Sequence, residues 1–263
     1  MGVVKALCVL ALLALVTPPL MAVQWLSVRL DLPAARDIPV LFHRIVLRLL
    51  GIRIDQRGMA AKARPLLLAA NHVSWLDICV LGAVMPLAFI AKSEVGTWPL
   101  FGTFARLQRS VFVDRERRSA TGRSASEIAA RLADGTALVL FAEGTSSPGI
   151  SVLPFRSALL GAVRQGVAVD DIATDPVVQP LAITYTRRGG LPLSRNARAH
   201  VAWYGDMDLA PHLWRVLTAP PLDVQVAFGA PVTASGSSDR KHLAAKLEDD
   251  VRTMVQDAIL GRS

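Results

Sequence analysis

The sequence predicts an α/β domain in which helices cover a largely buried sheet. After residue 60, short strand-like apolar runs recur along the chain, and helical stretches separate them. Alternation of this kind is typical of a layered α/β domain. The 263 residues are enough for one such domain with a sizeable core.

The elements follow from hydrophobic periodicity and turn residues. Strands are predicted at 66–70, 87–91, 110–113, 137–142, 177–185 and 222–228. Helices are predicted near 75–84, 97–108, 118–134, 156–165, 208–218 and 239–260. A Ser/Gly-rich loop that ends in an N-cap residue precedes the last helix. No repeat or heptad array interrupts this order.

The start of the chain is predicted to meet a membrane. The stretch between Lys5 and Arg29 carries no charge and exceeds the roughly 20 apolar residues that a helix needs to cross a bilayer core. Pro18 and Pro19 should kink or break this helix, so a straight span and a re-entrant hairpin both fit. A cleaved signal peptide is the alternative. We favour the anchor because no clear small-x-small cleavage site follows the apolar core.

A basic segment follows the apolar stretch. Arginine outnumbers aspartate between residues 29 and 57, and Arg44 and Arg48 lie one helical turn apart among the apolar residues of 39–51. Such a helix suits an anionic membrane surface, although a core helix with one charged edge has the same pattern. By the positive-inside rule, the main domain faces the cytoplasm from the inner (cytoplasmic) membrane.

Charge and cysteine usage agree with this location. A net charge of +8 favours an anionic partner, which is a membrane surface or a nucleic acid. No basic–aromatic array supports nucleic-acid binding. Cys8 falls in the apolar leader and Cys79 in a buried helix, which predicts no disulfide and a reducing compartment. We divide the chain into an N-terminal membrane segment, 1–60, and a main domain, 61–263.

His72 and Asp77 form the first candidate catalytic pair. His72 follows the predicted strand 66–70, and Asp77 opens the next helix. Ser74 and Asp77 also fit a capping box, in which case the histidine is an ordinary loop residue. The two roles are compatible, because a carboxylate in the first helical turn stays ionised and can orient an imidazole as a general base.

A second polar loop, EGTSS at 143–147, follows the predicted strand 137–142. Its glycine permits a close backbone approach and its hydroxyl residues offer hydrogen bonds, although an ordinary strand-end turn has the same composition. Other chemistries lack their motifs: G-x-S-x-G, the P-loop, H-E-x-x-H and the dinucleotide fingerprint are all absent. Five scattered histidines without a cysteine cluster predict no metal site.

Four stretches, taken in order, resemble the glycerophosphate and lysophospholipid acyltransferase family. NHVSWLD matches the family's N-H-x-x-x-x-D motif. AKSEVGTWPLFG and RSVFVDR resemble its second block, FAEGTSS with LPFRSAL its third, and VVQPLAITY its fourth. Four blocks in order over roughly 66–185 are a specific match, unlike any single motif.

The resemblance implies an α/β acyltransferase fold and acyl transfer from a thioester to a lysolipid hydroxyl at the membrane. It implies that His72 is the general base and that Asp77 holds it. The residues that it places around the substrates are Lys92, Arg115, Glu143, Gly144, Thr145, Ser146 and Arg156. The donor is acyl carrier protein or acyl-coenzyme A. No covalent acyl-enzyme is required, because no activated serine or cysteine is evident. No cofactor is required either.

One position departs from the family pattern. The family usually has arginine after E-G-T, where it is thought to meet the acceptor's phosphate, and here the residue is Ser146. Losing a bidentate phosphate partner is not a conservative change. Either Lys92, Arg115 or Arg156 binds the phosphate instead, or the acceptor has none. The EGTSS variant, with QPLAITYTR and AWYGDMDLAPHLWR downstream, resembles the bacterial branch that acylates lyso-ornithine lipid, a phosphorus-free aminolipid.

The sequence therefore predicts a lysolipid O-acyltransferase that converts lyso-ornithine lipid to ornithine lipid. The alternative acceptor is 1-acyl-sn-glycerol-3-phosphate, which would give phosphatidic acid. The alternative that is not an enzyme is a membrane-binding module. In such a protein the histidine motif would only cap a helix. For the catalytic alternatives, a hydrogen-bond donor near 72–77 must bind the oxyanion.

Overall fold

The computed structural model describes residues 2–113, 121–161, 176–233 and 239–262. Its strands are β1 (Ile52–Arg57), β2 (Leu66–Ala70), β3 (Ala88–Lys92), β4 (Val111–Val113), β5 (Leu138–Phe141), β6 (Val177–Arg188), β7 (Leu191–Pro192), β8 (Leu222–Phe228) and β9 (Val232–Thr233). Its helices are α1 (Gly2–Arg29), α2 (Ala34–Leu50), α3 (Leu76–Val84), α4 (Phe101–Leu107), α5 (Thr121–Ala133), α6 (described over 157–161), α7 (Arg195–Ala199), α8 (Leu209–Thr218) and α9 (Arg240–Leu260), with a 3-10 turn at Ser93–Thr97.

The strands form one mixed sheet with the order β1-β8-β6-β2-β5-β3-β4, to which β7 and β9 add short pairings with β6. The central strands β6, β2, β5, β3 and β4 run parallel, whereas β8 is antiparallel to β6. Parallel strands present their carboxyl ends at the same edge of a sheet. The loops after β2, β3, β5 and β6 therefore share one edge, which we call the carboxyl edge.

Helices cover both faces of the sheet, which confirms the predicted fold class. Leu66 and Leu68 of β2 pack into the layer that contains α1, α2, α3 and α8, and Leu67 packs into the layer that contains α5 and α9. Every residue of β2 is buried, so the strand has a continuous apolar sequence and no alternation.

The six strands and the helices predicted from hydrophobic runs are confirmed within the described residues, although the predicted helix 97–108 divides. It becomes a 3-10 turn and α4, separated at Pro99 and at Leu100, whose φ is +65°. Parts of two predicted helices, at 118–120 and 162–165, lie outside the described residues. Four elements were not predicted: β1 and the short β7, β9 and α7. Strand β1 pairs with β8 and buries only Ile52 fully.

The first helix, α1, runs without interruption through Pro18 and Pro19, where the sequence predicted a kink or break. Its buried residues lie both before and after the prolines: Ala6, Val9, Gln24 and Ser27. Because packing fixes the helix on both sides, the missing proline N–H groups do not end it. Among the described helices, α1 is the one that is long and apolar enough to cross a membrane.

Polar side chains hold both ends of α1 against the domain. Lys5 Nζ donates to main-chain carbonyls at the end of α2 and just after α8, and Gln24 Nε2 donates to carbonyls at the start of α2 and the end of α4. These acceptors are Leu50 (3.1 Å) and Ala219 (2.9 Å) for Lys5, and Ala35 (3.0 Å) and Leu107 (2.7 Å) for Gln24. The helix therefore lies along the domain.

The basic helix expected at 39–51 falls within α2. It buries Val46, Leu47 and Leu50, as in the core-helix alternative, and packs against α3. Arg44 and Arg48 remain exposed, and Arg44 Nε also donates to the Ala83 carbonyl of α3 at 2.9 Å.

Candidate active site

The two polar loops predicted from the sequence lie side by side at the carboxyl edge. Because Ala70 of β2 is opposite Phe141 of β5, the residues after each strand emerge together. The Ala142 amide donates to the Ala70 carbonyl at 2.9 Å, and the Ser147 amide donates to the His72 carbonyl at 2.8 Å. The loop of the histidine and the loop of the glutamate are thus joined through their main chains.

His72 and Asp77 form a hydrogen-bonded pair at this edge. The His72 Nδ1 lies 2.9 Å from Asp77 Oδ2, and the side chains are 18% and 0% exposed. Since a carboxylate accepts, Nδ1 carries the hydrogen and Nε2 keeps its lone pair, which is the tautomer that a general base requires. Within the described part of the chain, Nε2 has no hydrogen-bond partner.

Asp77 is held by three further donors. Its Oδ2 accepts from the amides of Val73 (2.6 Å) and Ser74 (2.9 Å), and its Oδ1 accepts from the Tyr185 hydroxyl (2.8 Å). A buried carboxylate would otherwise be costly, and these donors stabilise its charge. The bond to the Ser74 amide is the return half of a capping box, so Asp77 both supports the start of α3 and orients His72.

Tyr185 is a site residue that the sequence analysis missed. It lies in β6, which pairs with β2, and its side chain is 3% exposed. Burial raises its pKa well above the usual value, and the charge of Asp77 adds to the rise, so the hydroxyl remains protonated and donates. The available signal was a tyrosine hydroxyl near the end of a mostly buried strand that neighbours β2.

An aromatic stack orients the His72 ring. Phe141 lies against it with ring centroids 3.9 Å apart and planes 17° apart, and Phe89 stacks on Phe141 at 5.9 Å. The sequence placed both phenylalanines in strands but did not predict this contact. Because Phe141 covers one face of the imidazole and Asp77 holds Nδ1, the direction of Nε2 is fixed.

The segment 201–212 supports the histidine loop from the side of α8. The Trp203 amide donates to the Val73 carbonyl at 2.9 Å. Trp75 Nε1 donates to His212 Nδ1 at 3.0 Å, and His212 Nε2 lies 3.2 Å from the Val201 carbonyl. Burial lowers the pKa of His212, which keeps the ring neutral and able to accept from Trp75. This support was not predicted either.

Glu143 is buried beneath its loop, with 1% of its surface exposed. Its Oε1 accepts from the Leu153 amide at 3.3 Å, and its Oε2 has no hydrogen-bond partner among the described residues. Burial raises the pKa of Glu143 to about 8. The hydrogen bond from the Leu153 amide lowers this pKa, and the negative charge of Asp77 raises it. At neutral pH the loop therefore carries a protonated carboxyl group.

The three predicted basic residues differ in position. Lys92 is the exposed last residue of β3, at the carboxyl edge. Arg156 is exposed and donates from Nε to the Glu143 carbonyl at 3.2 Å, which joins the glutamate loop to the start of α6. Arg115 lies outside the described residues.

The remaining predicted residues form the loop after β5. Gly144 has φ +75°, a left-handed conformation that favours glycine. Thr145 is exposed and Ser146 is half-buried. The loop thus presents small hydroxyl side chains, and no guanidinium at position 146, to the carboxyl edge.

This arrangement suits general-base chemistry. Burial raises the pKa of the Cys79 thiol to about 12, with the Asp77 charge adding to the rise, so the thiol is a poor nucleophile. No serine or cysteine of the described chain is hydrogen-bonded to the His72 ring. Among the same residues, no group of three or more His, Cys, Asp or Glu side chains could hold a metal ion.

Known proteins are similar to this chain in sequence. Residues 51–184 match the family described as Acyltransferase. The chain is 47% identical over 261 residues to the lyso-ornithine lipid O-acyltransferase of Brucella abortus, covering 99% of this chain and 97% of that protein. It is 34% identical over 228 residues to the 1-acyl-sn-glycerol-3-phosphate acyltransferase of Neisseria meningitidis, covering 86% and 84%.

The fold also matches a solved structure. The crystal structure of the 1-acyl-sn-glycerophosphate (LPA) acyltransferase from Thermotoga maritima aligns with a TM-score of 0.68 at 21% identity, covering 98% of this chain and 97% of that one. This likeness concerns the fold, and the sequence matches concern the family. The chain belongs to the acyltransferase family.

Proposed function

We propose that this lysolipid O-acyltransferase acylates the hydroxyl of lyso-ornithine lipid to give ornithine lipid. The choice of this acceptor rests on Ser146. This serine occupies the position where the family pattern has the arginine thought to bind phosphate. The relatives support the choice. Those named lyso-ornithine lipid O-acyltransferase reach 47% and 46% identity, and those named 1-acyl-sn-glycerol-3-phosphate acyltransferase reach 34%.

The first chemical step uses the free nitrogen of His72. Nε2 removes the proton from the acceptor hydroxyl as its oxygen attacks the thioester carbonyl of the donor. Asp77, hydrogen-bonded to Nδ1, stabilises the imidazolium that forms. The stack with Phe141 keeps the ring in the orientation that aims Nε2 at the hydroxyl.

The second step releases the carrier. The tetrahedral intermediate collapses, the carbon–sulfur bond breaks, and the His72 imidazolium returns its proton to the leaving thiolate. The products are the new ester and the free thiol of acyl carrier protein or coenzyme A. Lys92, Arg115 and Arg156 would bind the acceptor's carboxylate or the donor's phosphates, and the loop 143–146 would shape the acceptor site.

The full-length protein in detergent, given a labelled acyl thioester and either lysolipid, tests this proposal. We expect label in ornithine lipid and a higher kcat/KM for lyso-ornithine lipid, with acyl carrier protein and coenzyme A thioesters compared as donors. A strong preference for lysophosphatidic acid would contradict the acceptor and leave the acyltransferase activity standing. No transfer to either lysolipid would favour a membrane-binding module.

Substituting Ser146 by arginine should reduce the preference for lyso-ornithine lipid. The added guanidinium has no phosphate to bind in that acceptor, and a half-buried unpaired cation is unfavourable. With lysophosphatidic acid it gains a charged hydrogen bond, so the preference should shift by about 1.5–3 kcal/mol. The measured quantity is the ratio of the two kcat/KM values. Gln56→Arg, at an exposed glutamine of β1 at the end of the sheet, is the control and should leave the ratio unchanged.

Tyr185→Phe should lower kcat about tenfold with little change in KM, because Asp77 loses one of its four donors and holds His72 less firmly. Initial rates at saturating and at limiting lysolipid separate the effect on kcat from the effect on KM. Tyr204→Phe, at the half-buried second tyrosine, is the control. An unchanged kcat in Tyr185→Phe would limit that residue to a packing role.

We infer that α1 and the charged edge of α2 hold the enzyme on the inner membrane, with the active site on the cytoplasmic side. One side of α1 packs on the domain, and the other exposes apolar residues: Val3, Val4, Leu7, Leu15, Val23, Trp25 and Leu26. Because polar contacts tie both ends of α1 to the domain, this geometry favours a helix lying in one leaflet over a separate span.

Glutamates at Leu7 and Leu15 together should release the enzyme from membranes. Each leucine contributes about 1.5–3 kcal/mol when its side chain leaves water, so partitioning should fall by about 10²–10⁴-fold. Flotation with vesicles measures the bound fraction. Leu260→Glu, at an exposed leucine of α9 in the opposite helix layer, is the control and should remain bound. Full binding of the doubly substituted protein would contradict the role of α1.

A further inference from the structure

Four arginines surround the turn between α5 and β5, at the edge of the sheet opposite to His72. They come from α2, from the segment before β2, from the residues after α4, and from α5. Their contacts are Arg36 Nη2 to the Asp134 carbonyl (2.9 Å), Arg64 Nε to the Gly135 carbonyl (3.1 Å), Arg109 Nη2 to Asp134 Oδ2 (2.8 Å) and Arg131 Nη1 to Asp134 Oδ2 (3.9 Å). We call these four residues the arginine cluster.

Positive charge exceeds negative charge in this cluster. Asp134 is the carboxylate that Arg109 and Arg131 share, and Asp37 lies nearby. Burial lowers the pKa of Arg131 and the charge of Arg109 lowers it further, whereas the charges of Asp134 and Glu127 raise it. Arg109 and Arg131 are half-buried and Arg36 and Arg64 are exposed, so a bound anion would reduce the repulsion among four like charges.

A cavity of about 360 Å³ adjoins the cluster. Arg36, Arg64 and Arg109 line it together with Gln108 and Thr136, and apolar side chains from the α3–β3 connection and the start of α2 complete its wall. This volume falls within the range of small-molecule sites. The polar side chains therefore converge at one end of a partly apolar space.

The arginines keep donors for a ligand. A guanidinium has five N–H groups, and within the described chain Arg36 and Arg109 each donate one of them to the protein. Both guanidinium groups contact Asp134, and a guanidinium with free N–H groups can bind phosphate oxygens in a bidentate manner.

We propose that the arginine cluster and its cavity form a phosphate-binding site separate from the catalytic site. The cavity lies at the amino ends of β3 and β5, whereas His72 follows the carboxyl end of β2, so a strand of about 15 Å separates them. A phosphate bound here would bridge α2 to the sheet. The phosphate group would belong to a phospholipid headgroup or to a soluble phosphate compound. The apolar wall of the cavity and the neighbouring α1–α2 connection suit a phospholipid.

Thermal unfolding of the full-length protein in a neutral detergent tests the site. Sodium phosphate replaces sodium chloride at constant ionic strength, and dioctanoyl phosphatidylglycerol is the lipid probe, with dioctanoylglycerol as its phosphate-free counterpart. We expect a saturable rise in Tm of about 5 °C or more at a hundredfold excess over Kd with at least one phosphate probe. Arg36→Gln with Arg64→Gln should abolish the rise.

Arg53→Gln is the matched control, because Arg53 is an exposed arginine of β1 at the far end of the sheet. Arg53→Gln should show the same saturable rise in Tm as the wild type. The general stabilising effect of phosphate on proteins does not saturate and should appear in every variant. If the doubly substituted protein is too unstable, Arg36→Gln alone should raise the half-saturation concentration about tenfold.

The probes also distinguish the source. Saturation by the lipid at lower concentration than by inorganic phosphate assigns the site to a headgroup, and the reverse order assigns it to a soluble phosphate. The proposal is overturned if neither probe gives a saturable rise in the wild type. It is also overturned if the arginine variants keep the same half-saturation concentration as the wild type.

Discussion

His72→Ala should lower kcat/KM for acyl transfer by about 10²–10⁴-fold, the usual contribution of a general base. The variant removes Nε2, whereas Asp77 keeps its bonds to the Val73 and Ser74 amides, so the start of α3 should stay folded. Initial rates with the labelled thioester measure the loss, and circular dichroism checks the fold. His200→Ala, at an exposed histidine after α7, is the control. Retention of most of the activity in His72→Ala would rule out the proposed base.

Asp77→Asn should cost at least about 10²-fold in kcat, with a smaller effect on KM. The amide that replaces the carboxylate removes the negative charge that stabilises the imidazolium, and its NH₂ group can turn toward His72 and favour the wrong tautomer. Rates and thermal unfolding should be measured together, because the same side chain supports the start of α3. Asp208→Asn is the control, since Asp208 precedes α8 without a side-chain capping bond.

Combining the two changes should cost no more than the larger single loss, because His72 and Asp77 act as a unit. If the doubly substituted enzyme loses the product of both effects, Asp77 contributes by a route that does not pass through His72. A loss explained entirely by unfolding of Asp77→Asn would assign that residue to the helix cap.

Local patterns were sufficient to predict most of the sheet and the pairing of His72 with Asp77. Strands such as β2 are buried on both faces, so their apolar runs are visible in the sequence, and His72 and Asp77 are five residues apart on one loop. Strand β1 was missed because its residues are mostly polar and exposed at a sheet edge, which leaves no apolar run to detect.

The contacts that the sequence did not predict join residues far apart along the chain. The Tyr185 hydroxyl bonds to Asp77 across 108 positions, and Arg36 reaches the Asp134 turn across 98. Both depend on strand order: β6 must lie beside β2, and β5 must start close to α2. Hydrophobic periodicity identifies elements without their neighbours, so contacts of this range require the assembled fold.

The Lys5 contact also has a consequence for synthesis in the cell. Its acceptor, the Ala219 carbonyl, is made 214 residues after the lysine itself. At translation rates of about 5–20 residues per second, α1 leaves the ribosome roughly 10–40 s before that partner exists. During this interval the part of α1 that packs on α8 has no partner, so an apolar helix of 28 residues waits for its last contacts until most of the chain has been made.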